Sequence, residues 1–327
     1  MVYDCFCFFN ELDLLEIRLN TLDKVVDRFI LVESHLTHSG HPKPLYYENN
    51  KHRFSKFNHR IIHIIVNDFP KPQNITYNKM AWMRENWQRN AIFRGIPKTA
   101  KDEDYIIISD LDEIPSPEAI KIALSHNKVT RLNLKMFYYF LNYKNFTYPT
   151  WNLGPQVLPL HIIRNTSTLP LLPESDFIIK KLNKEITPTV IRFMQSGHVI
   201  RNAGWHFSYC GGINAIQAKI KAIAHTENDT EEILDLKNIQ NRIYSGKLHF
   251  NRNDKFYAIN INDSFPQYIR DNLQKFNHLI FPLTLKYKIK KFIPKSITFL
   301  KQSILDIIRR TLPRKLKDFL YHVFISN

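Results

Sequence analysis

The sequence predicts an α/β fold with a mainly parallel central sheet, because short strand patterns alternate with amphipathic helical patterns through the front half of the chain. Two further observations support this class. The predicted strands are apolar throughout, as expected for strands that are covered on both faces. Hydrophobic residues make up 44% and charged residues 23% of the 327 positions, which is an ordinary globular composition.

Strands and helices follow one another in a regular order. The predicted strands are Tyr3 to Phe9, Arg28 to Glu33, Arg60 to Val66 and Tyr105 to Ser109. The predicted helices are one capped at Asn10 with Leu12, Leu15, Leu19 and Leu22 on one face, one over Lys79 to Arg94, and one that begins at Ser116-Pro117-Glu118. Serine at the cap with proline at the first helical position is a typical helix start.

After Arg131 the pattern changes to longer, partly polar strands. The predicted strands here are Arg131 to Tyr143, Val157 to Arg164 and Val190 to Phe193, and a helix is predicted near Ile213 to Ala224. The clearest boundary falls near Pro282, so we expect one domain over 1–282 and a separate basic segment over 283–327.

The segment 283–327 carries a formal charge of +9 out of +16 for the whole chain. Because the basic residues concentrate there, the charge argues against a protein that binds nucleic acid with a basic working face. Apolar residues follow Pro294 and Pro313 at helical spacing, with basic residues beside them. We therefore expect basic amphipathic helices that lie on an anionic membrane surface, although docking on the catalytic domain is the alternative.

The three cysteines, Cys5, Cys7 and Cys210, are too few for a disulfide framework and favour buried thiols in a reducing compartment. Neither a signal peptide nor a stretch long enough to span a membrane is apparent. We therefore expect a cytoplasmic protein, peripheral on the cytoplasmic face of a membrane. The sequence does not indicate its oligomeric state.

The strongest chemical signal is IIISDLDEIPSPE, in which a buried strand ends in two carboxylates one residue apart. Ligands bind at this edge of open α/β sheets. Asp110 and Asp112 are expected to project to the same side and to share one hard cation with the oxygens of a diphosphate. A solvated acidic turn is the alternative, and phosphatases of the haloacid-dehalogenase type also present such a pair, although usually near the N-terminus.

Six long stretches resemble glycosyltransferase family 17, the family of the β-1,4-mannosyl-glycoprotein 4-β-N-acetylglucosaminyltransferase. They are DCFCFFNELDLLEIRLNTLD (4–23), RFILVESHLTHSGHPKPLYY (28–47), WMRENWQRN (82–90), IIISDLDEIPSPE (106–118), GWHFSYCGG (204–212) and FPQYIRDNLQKFNHLI (265–280). The resemblance implies a GT-A-type nucleotide-sugar-binding fold, an inverting transfer, a UDP-sugar donor and a divalent cation, Mn²⁺ or Mg²⁺.

The resemblance also implies roles for individual residues. Asp110 and Asp112 resemble the family's metal and diphosphate carboxylates. Glu33 ends a strand where such folds meet the nucleoside, although a satisfied strand-end acid is equally compatible. Arg84 and Arg89 either contact donor phosphates or fix Glu85 in an internal pair.

Residues of the second half complete the predicted site. His206 is a candidate to hold the metal or diphosphate, against the alternative of a hydrogen-bonded core histidine. Trp151 and Trp205 are candidate sugar platforms for the acceptor, with core packing expected for at least one. The general base is not fixed: Glu113 is preferred because it belongs to the matched motif. The other carboxylates considered are Glu174, Asp176 and Glu227.

These residues predict a hexosyltransferase that moves a sugar, GlcNAc or a related hexose, from a UDP-sugar to a glycan acceptor in cell-surface or lipid-linked glycan synthesis. Two alternatives remain. One is a metal-dependent phosphohydrolase that uses the same aspartates, and the other is a carbohydrate- or membrane-binding module without catalysis.

Overall fold

The computed structural model describes residues 1–165, 187–194, 196–248 and 254–283. The chain divides into a compact unit, Met1–Phe281, and a second unit, Pro282–Asn327. Within the described residues, no helix has the length and apolar character needed to cross a membrane. Because the predicted basic helices of 283–327 lie almost entirely outside the described residues, they stay a prediction, and so do the two domains.

Thirteen strands are present in the described residues. They are β1 (Val2–Cys7), β2 (Arg28–Ser34), β3 (Ile61–Val66), β4 (Tyr105–Asp110), β5 (Glu113–Pro115), β6 (Thr130–Leu132), β7 (Leu134–Tyr138), β8 (Tyr143–Asn145), β9 (Thr150–Trp151), β10 (Gln156–Pro159), β11 (His198–Ile200), β12 (Gly204–Ser208) and β13 (Phe256–Ala258).

The α-helices of the described residues lie between these strands and after them. They are α1 (Leu12–Leu22), α2 (Tyr46–Asn50), α3 (Tyr77–Asn90), α4 (Pro117–Ser125), α5 (Leu160–Asn165), α6 (Pro188–Arg192), α7 (Ile213–Ala222), α8 (Glu231–Leu234), α9 (Leu236–Ser245) and α10 (Gln267–Asp271). Short 3₁₀ helices cover Lys51–Phe57, Ala91–Gly95, Thr226–Asn228 and Asn277–Leu279.

Seven strands form the central sheet in the order β11-β6-β10-β4-β1-β2-β3. The run β4-β1-β2-β3 is parallel, as is the β11–β6 pair, while β10 is antiparallel to both of its neighbours. The predicted α/β class with a mainly parallel sheet is therefore confirmed. Two apolar clusters pack against this framework, one that includes Phe6, Leu15 and Phe137 and one that includes Ile30, Ile106 and Ile108.

A second, six-stranded sheet has the order β13-β8-β7-β12-β5, with β9 paired to β7. β12 runs parallel to β7 and antiparallel to β5. Since β5 begins three residues after β4 ends, this sheet brings the second half of the chain next to the carboxyl edge of the central sheet. His206 on β12 lies opposite Glu113 on β5.

The predicted helix starts are confirmed at α4 but not at α1. The Ser116 hydroxyl accepts a hydrogen bond from the Ala119 amide at 3.1 Å, with Pro117 at the first helical position. Asn10 does not cap α1, because the residue before this helix is Glu11 and its side chain makes no capping bond. Burial of its leucine face holds α1 instead.

Three strand predictions of the second half are wrong. Arg131 to Tyr143 is not one strand but β6 and β7 followed by a turn, where Tyr139 adopts a positive φ of 66°. Val157 to Arg164 leaves the sheet at Pro159 and continues as α5. Val190 to Phe193 is helical, because Thr187 caps α6 through a bond from the Val190 amide and Pro188 starts it.

One buried arginine joins α1, β1 and the turn after β4. Arg18 is fully buried, and its Nε and Nη2 donate to Asp4 Oδ2 and Oδ1 at 2.7 and 2.6 Å. Its other N–H bonds reach the turn, at Ser109 Oγ (2.6 Å) and the carbonyls of Asp110 (2.9 Å), Leu111 (3.0 Å) and Glu113 (2.8 Å). The guanidinium therefore fixes the backbone that displays the predicted aspartates.

We expect Arg18→Met to lower the free energy of unfolding by ~3–5 kcal/mol, because Asp4 and the turn carbonyls lose their partner while they stay buried. Urea unfolding measures this loss. The matched control is Arg94→Met, since Arg94 pairs with Asp68 at the surface and such pairs contribute about 0–1 kcal/mol. Equal losses in the two variants would contradict the assignment. If Arg18→Met does not fold, Asp4→Asn provides the same comparison.

Candidate active site

A cavity of about 320 Å³ opens at the carboxyl ends of β1 and β4. These strands are neighbours, and Cys7 lies opposite Asp110 at their ends. The chain runs from β1 to β2 and β3 on one side, whereas β4 lies on the other side of β1, so the strand order reverses at this point. Ligands of open α/β sheets bind at such a crevice.

Segments from both halves of the chain surround this cavity. Cys7, Phe8, Phe9 and Glu11 line it after β1, and Leu36, Thr37, His38 and Lys43 after β2. Trp82, Glu85, Gln88 and Arg89 line it from α3, and Asp110, Leu111 and Asp112 after β4. The rest of the wall comes from later in the chain: Trp151, His206, Ser208, Tyr209, Lys219, Ala222, Ile223 and His225.

Asp110 and Asp112 both reach the cavity, but they bind different partners. Asp110 accepts from Arg89 Nη2 at 3.1 Å and from Arg192 Nη2 at 3.0 Å. Asp112 accepts from Lys219 Nζ at 2.8 Å, and its other oxygen lies 3.5 Å from His206 Nε2. Because separate cations hold the two carboxylates, no common cation position is formed between them by these contacts.

Burial and neighbouring charges act in opposite directions on the two aspartates. Burial raises the pKa of Asp110, but Arg192 and Arg89 outweigh it and lower the pKa to about 2. At Asp112, burial is likewise outweighed by Lys219 and His206, which hold the pKa of this carboxyl well below its usual range. Both side chains are therefore anionic at neutral pH.

Glu113 turns away from the cavity into the protein. Its carboxylate is fully buried, with Arg192 Nη1 at 2.8 Å from Oε2 and Nη2 at 2.5 Å from Oε1. It also accepts from the Trp151 indole at 2.6 Å and the Asp110 amide at 3.2 Å. The catalytic role predicted for Glu113 stays a prediction, and these contacts favour a positioning role because both oxygens are already engaged.

The charged groups form an ion-pair network, here defined as five carboxylates (Glu11, Glu85, Asp110, Asp112 and Glu113) and three cations (Arg89, Arg192 and Lys219). Its ion pairs are Glu11–Lys219, Lys219–Asp112, Glu85–Arg89, Arg89–Asp110, Asp110–Arg192 and Arg192–Glu113. The carboxylates outnumber the cations by two. A ligand with two negative phosphate groups would need further positive charge to enter this site.

His206 lies beside Asp112, where a divalent cation could supply the additional positive charge. Its ring is buried next to Asp112, and its Nδ1 has no hydrogen-bond partner among the described residues. Nowhere in the described part of the chain do three His, Cys, Asp or Glu side chains form a complete metal site. Mg²⁺ commonly binds one or two carboxylates together with substrate phosphates, so Asp112 fits a cation that a diphosphate completes, with His206 Nε2 as a neighbouring nitrogen 3.5 Å from Asp112 Oδ1.

The two predicted tryptophan platforms differ in position. Trp151 lines the cavity, and its ring centroid lies 4.8 Å from that of His206. Trp205 is buried in the apolar core, where its indole donates to the Ser264 carbonyl at 2.9 Å. Neighbouring residues of a strand face opposite sides, so β12 directs His206 and Trp205 apart. The acceptor role stays a prediction for both and is favoured only for Trp151.

The residues predicted to contact the nucleoside and the phosphates also differ in whether they line the cavity. Glu33 is fully buried and accepts from the Tyr47 amide (3.0 Å), with His63 Nε2 at 3.2 Å, so it is a satisfied strand-end acid outside the cavity lining. Arg84 donates to the His38 carbonyl at 3.0 Å and does not line the cavity. Arg89 lines it and fixes Glu85 at 3.0 Å.

Cys7 lines the cavity with a thiol whose ionisation is disfavoured. Burial raises the pKa of its thiol to about 12, so the reactive thiolate is absent at neutral pH. All three cysteines of the chain are free. This agrees with the expectation of unpaired thiols.

Three residues of the ion-pair network were not predicted from the sequence: Glu11, Arg192 and Lys219. Arg192 and Lys219 come from helices far along the chain, and neither belongs to a recognisable local motif. The available signal was the charge of the motif itself, since three neighbouring acids at 110, 112 and 113 require cations from elsewhere. Of the remaining base candidates, Glu227 pairs with His225 at 2.6 Å. Glu174 and Asp176 lie outside the described residues.

The chain is similar to known proteins over part of its length. Residues 1–153 match the model of the family described as "Glycosyltransferase family 17". The chain is 21% identical to the Beta-1,4-mannosyl-glycoprotein 4-beta-N-acetylglucosaminyltransferases of Homo sapiens and Rattus norvegicus and 22% identical to that of Mus musculus. Each match covers 83% of this chain and 53% of the relative, so the chain spans about half the length of the curated relatives it matches.

These matches confirm the predicted resemblance to family 17 and support the predicted enzyme class, a glycosyltransferase. The family match includes Arg89, Asp110, Asp112 and Trp151. It does not extend to the cavity residues from His206 onward.

The Asp110 ion pairs predict a specific acid dependence of stability. The pKa of Asp110 is about 2 in the folded protein, below its ordinary value of 3.8. Its contribution to the free energy of unfolding is therefore present above about pH 4 and is lost as the pH falls towards 2. We expect Asp110→Asn to lack this loss, so that the two proteins differ less in stability at pH 2 than at pH 5. Urea unfolding across this range measures it, and a difference independent of pH would contradict the pairing.

Proposed function

With residues 1–153 matching glycosyltransferase family 17, we propose that this chain transfers a sugar from a UDP-sugar to a glycan acceptor, with inversion and with a divalent cation. The observation that carries the proposal is the cavity at the carboxyl ends of β1 and β4, into which Asp110 and Asp112 project. GlcNAc or a related hexose is the proposed sugar, because the matched relatives are N-acetylglucosaminyltransferases.

The central sheet supports a GT-A-type arrangement of the donor. We propose that the nucleoside binds between the segments that follow β1 and β2, where Phe9, Thr37 and His38 line the cavity. The diphosphate would then reach Arg89 and Asp112, and the sugar would face Trp151 and His206. An aromatic ring is a suitable surface for the apolar face of a sugar.

Asp112 and His206 are the proposed protein ligands of Mn²⁺ or Mg²⁺, which when bound would neutralise charge on the donor diphosphate. The excess of carboxylates in the ion-pair network supports this need for a cation. Asp110 is the less suitable ligand in this arrangement, because both of its oxygens accept from arginines. Its proposed role is to orient Arg89 and Arg192 at the cavity.

The proposed reaction is one in-line displacement. An acceptor hydroxyl oxygen forms a bond to the anomeric carbon as the bond from that carbon to the diphosphate oxygen breaks, and the electron pair leaves with UDP. A carboxylate takes the hydroxyl proton. In the described residues, each cavity carboxylate is already paired with a cation, so none is singled out as this base. Glu174 and Asp176 stay candidates.

We expect Asp112→Asn to reduce sugar transfer and donor hydrolysis by at least about 100-fold, because the amide cannot replace the charge that the cation needs. The protein should remain folded, since Asp112 contributes little to the apolar core. UDP release from UDP-GlcNAc and related UDP-hexoses, with Mn²⁺, Mg²⁺ or EDTA, measures the effect. Asp263→Asn is the control, because Asp263 is exposed and outside the cavity lining.

Thermal shift with the same donors tests binding separately, since a ligand that binds only the folded state raises its melting temperature. We expect the largest shift when donor and cation are added together. Near-normal turnover by Asp112→Asn at limiting Mn²⁺ would overturn the assignment. Release of phosphate from phosphomonoesters would instead favour a phosphohydrolase, and donor binding without turnover would favour a non-catalytic module.

We further propose that 283–327 binds an anionic membrane surface on the cytoplasmic side, where the acceptor would be a lipid-linked or cell-surface glycan precursor. The support is the charge of +9 beside apolar residues at helical spacing. The full chain should pellet with anionic vesicles at low salt and be released at high salt, and a chain truncated after Pro282 should stay soluble and hydrolyse donor. Aggregation of the truncated chain, with no vesicle binding by the full chain, would show that the segment belongs to the fold.

A further inference from the structure

Lys219 is the only lysine of the described residues within ion-pair distance of Asp112. Its Nζ lies 2.8 Å from Asp112 Oδ2 and 3.0 Å from Glu11 Oε1, and the side chain is 19% exposed at the cavity wall. The ammonium also lies 5.5 Å from the Tyr209 ring centroid. The ammonium of Lys219 therefore holds one oxygen of the carboxylate to which a divalent cation is proposed to bind.

The helix that carries Lys219, α7, is held at its C-terminal end. Ser39 donates through its hydroxyl to the Lys221 carbonyl at 2.5 Å and through its amide to the Ala222 carbonyl at 3.2 Å. The Lys219 ammonium lies at the end of a flexible four-carbon stem, so it can change partners by rotation of its own side chain.

From these contacts we propose that Lys219 competes with the divalent cation for Asp112 before the donor binds, and contacts the donor diphosphate afterwards. The inference deepens the proposed function and rests on it. Two positive groups that share one carboxylate repel each other, so binding of the cation disfavours the Lys219–Asp112 pair. A donor diphosphate in the cavity gives the displaced ammonium a new anionic partner.

Lys219 is cationic where it contacts Asp112 and Glu11. Burial lowers the pKa of the ammonium, but Asp112 and Glu11 outweigh it, so that the pKa lies well above its ordinary value. As the bond between the anomeric carbon and the diphosphate oxygen breaks, negative charge develops on the leaving UDP. A lysine N–H that donates to this oxygen stabilises that charge without transferring its proton.

The test compares Lys219→Met with the wild-type full chain in two measurements. Mn²⁺ is first titrated without donor, and binding is followed by quenching of tryptophan fluorescence, since Trp82 and Trp151 line the cavity. We expect Lys219→Met to bind Mn²⁺ at least about fivefold more tightly, because the competing ammonium is gone. The turnover number for hydrolysis of the UDP-sugar at saturating Mn²⁺ should fall about 100-fold.

Three further variants separate competition from a general disturbance. Lys221→Met removes an exposed lysine of the same helix and should match wild type in both measurements. His206→Ala should weaken Mn²⁺ binding, opposite to Lys219→Met. Glu11→Gln removes the second partner of Lys219 and should also weaken it, because the ammonium then rests on Asp112 alone. Glu11→Gln and His206→Ala keep the comparison possible if Lys219→Met does not fold.

Unchanged or weaker Mn²⁺ binding by Lys219→Met would overturn the proposal that Lys219 competes with the cation for Asp112. Tighter Mn²⁺ binding by Glu11→Gln would overturn it as well. An unchanged turnover number in Lys219→Met would overturn the contact with the leaving diphosphate. The proposed function fails separately, if wild type neither binds UDP nor releases it from a UDP-sugar. The Mn²⁺ titration is made without donor and is decided independently of that outcome.

Discussion

The buried pair between Arg18 and Asp4 is the contact on which the arrangement of the site depends. One guanidinium in α1 binds a carboxylate of β1 and, at the same time, the carbonyls of the turn that follows β4. A buried pair of this kind is costly to desolvate, and it is stable only when its remaining hydrogen bonds are satisfied. Here the turn carbonyls accept the remaining hydrogen bonds of the guanidinium. The same arginine that pairs with β1 therefore also fixes the conformation of the turn.

The side chains of the three acidic residues in this turn point in different directions. Asp110 and Asp112 reach the cavity, whereas Glu113 enters the interior and binds Arg192 and Trp151. Glu113 thereby connects Arg192 and the Asp110 amide to Trp151, the ring that is proposed to face the donor sugar. The same residue that the motif presents as a catalytic acid is, by its contacts, a group that positions its neighbours.

Cations from three separate helices then balance the acids only in part. Arg89, Arg192 and Lys219 each pair with two carboxylates of the ion-pair network, and two negative charges remain in excess. This excess is the physical basis for expecting a divalent cation with an anionic donor. It is also consistent with the proposed competition between Lys219 and that cation, since the Lys219 ammonium pairs with Asp112, the proposed ligand.

The sequence by itself determined the α/β class, the strand that ends at Asp110, the capped helix after Ser116 and the family resemblance, because each depends on neighbours a few residues apart. Local patterns failed where a strand could end early, as at Pro159, or where capping at Thr187 made a short apolar segment helical. Only the tertiary structure decided which carboxylates face the cavity and which cations meet them. The contacts of Arg18 with the Glu113 carbonyl, of Arg192 with Glu113 and of Lys219 with Asp112 span 79 to 107 residues of chain, and contacts at such separations leave no pattern in a single sequence.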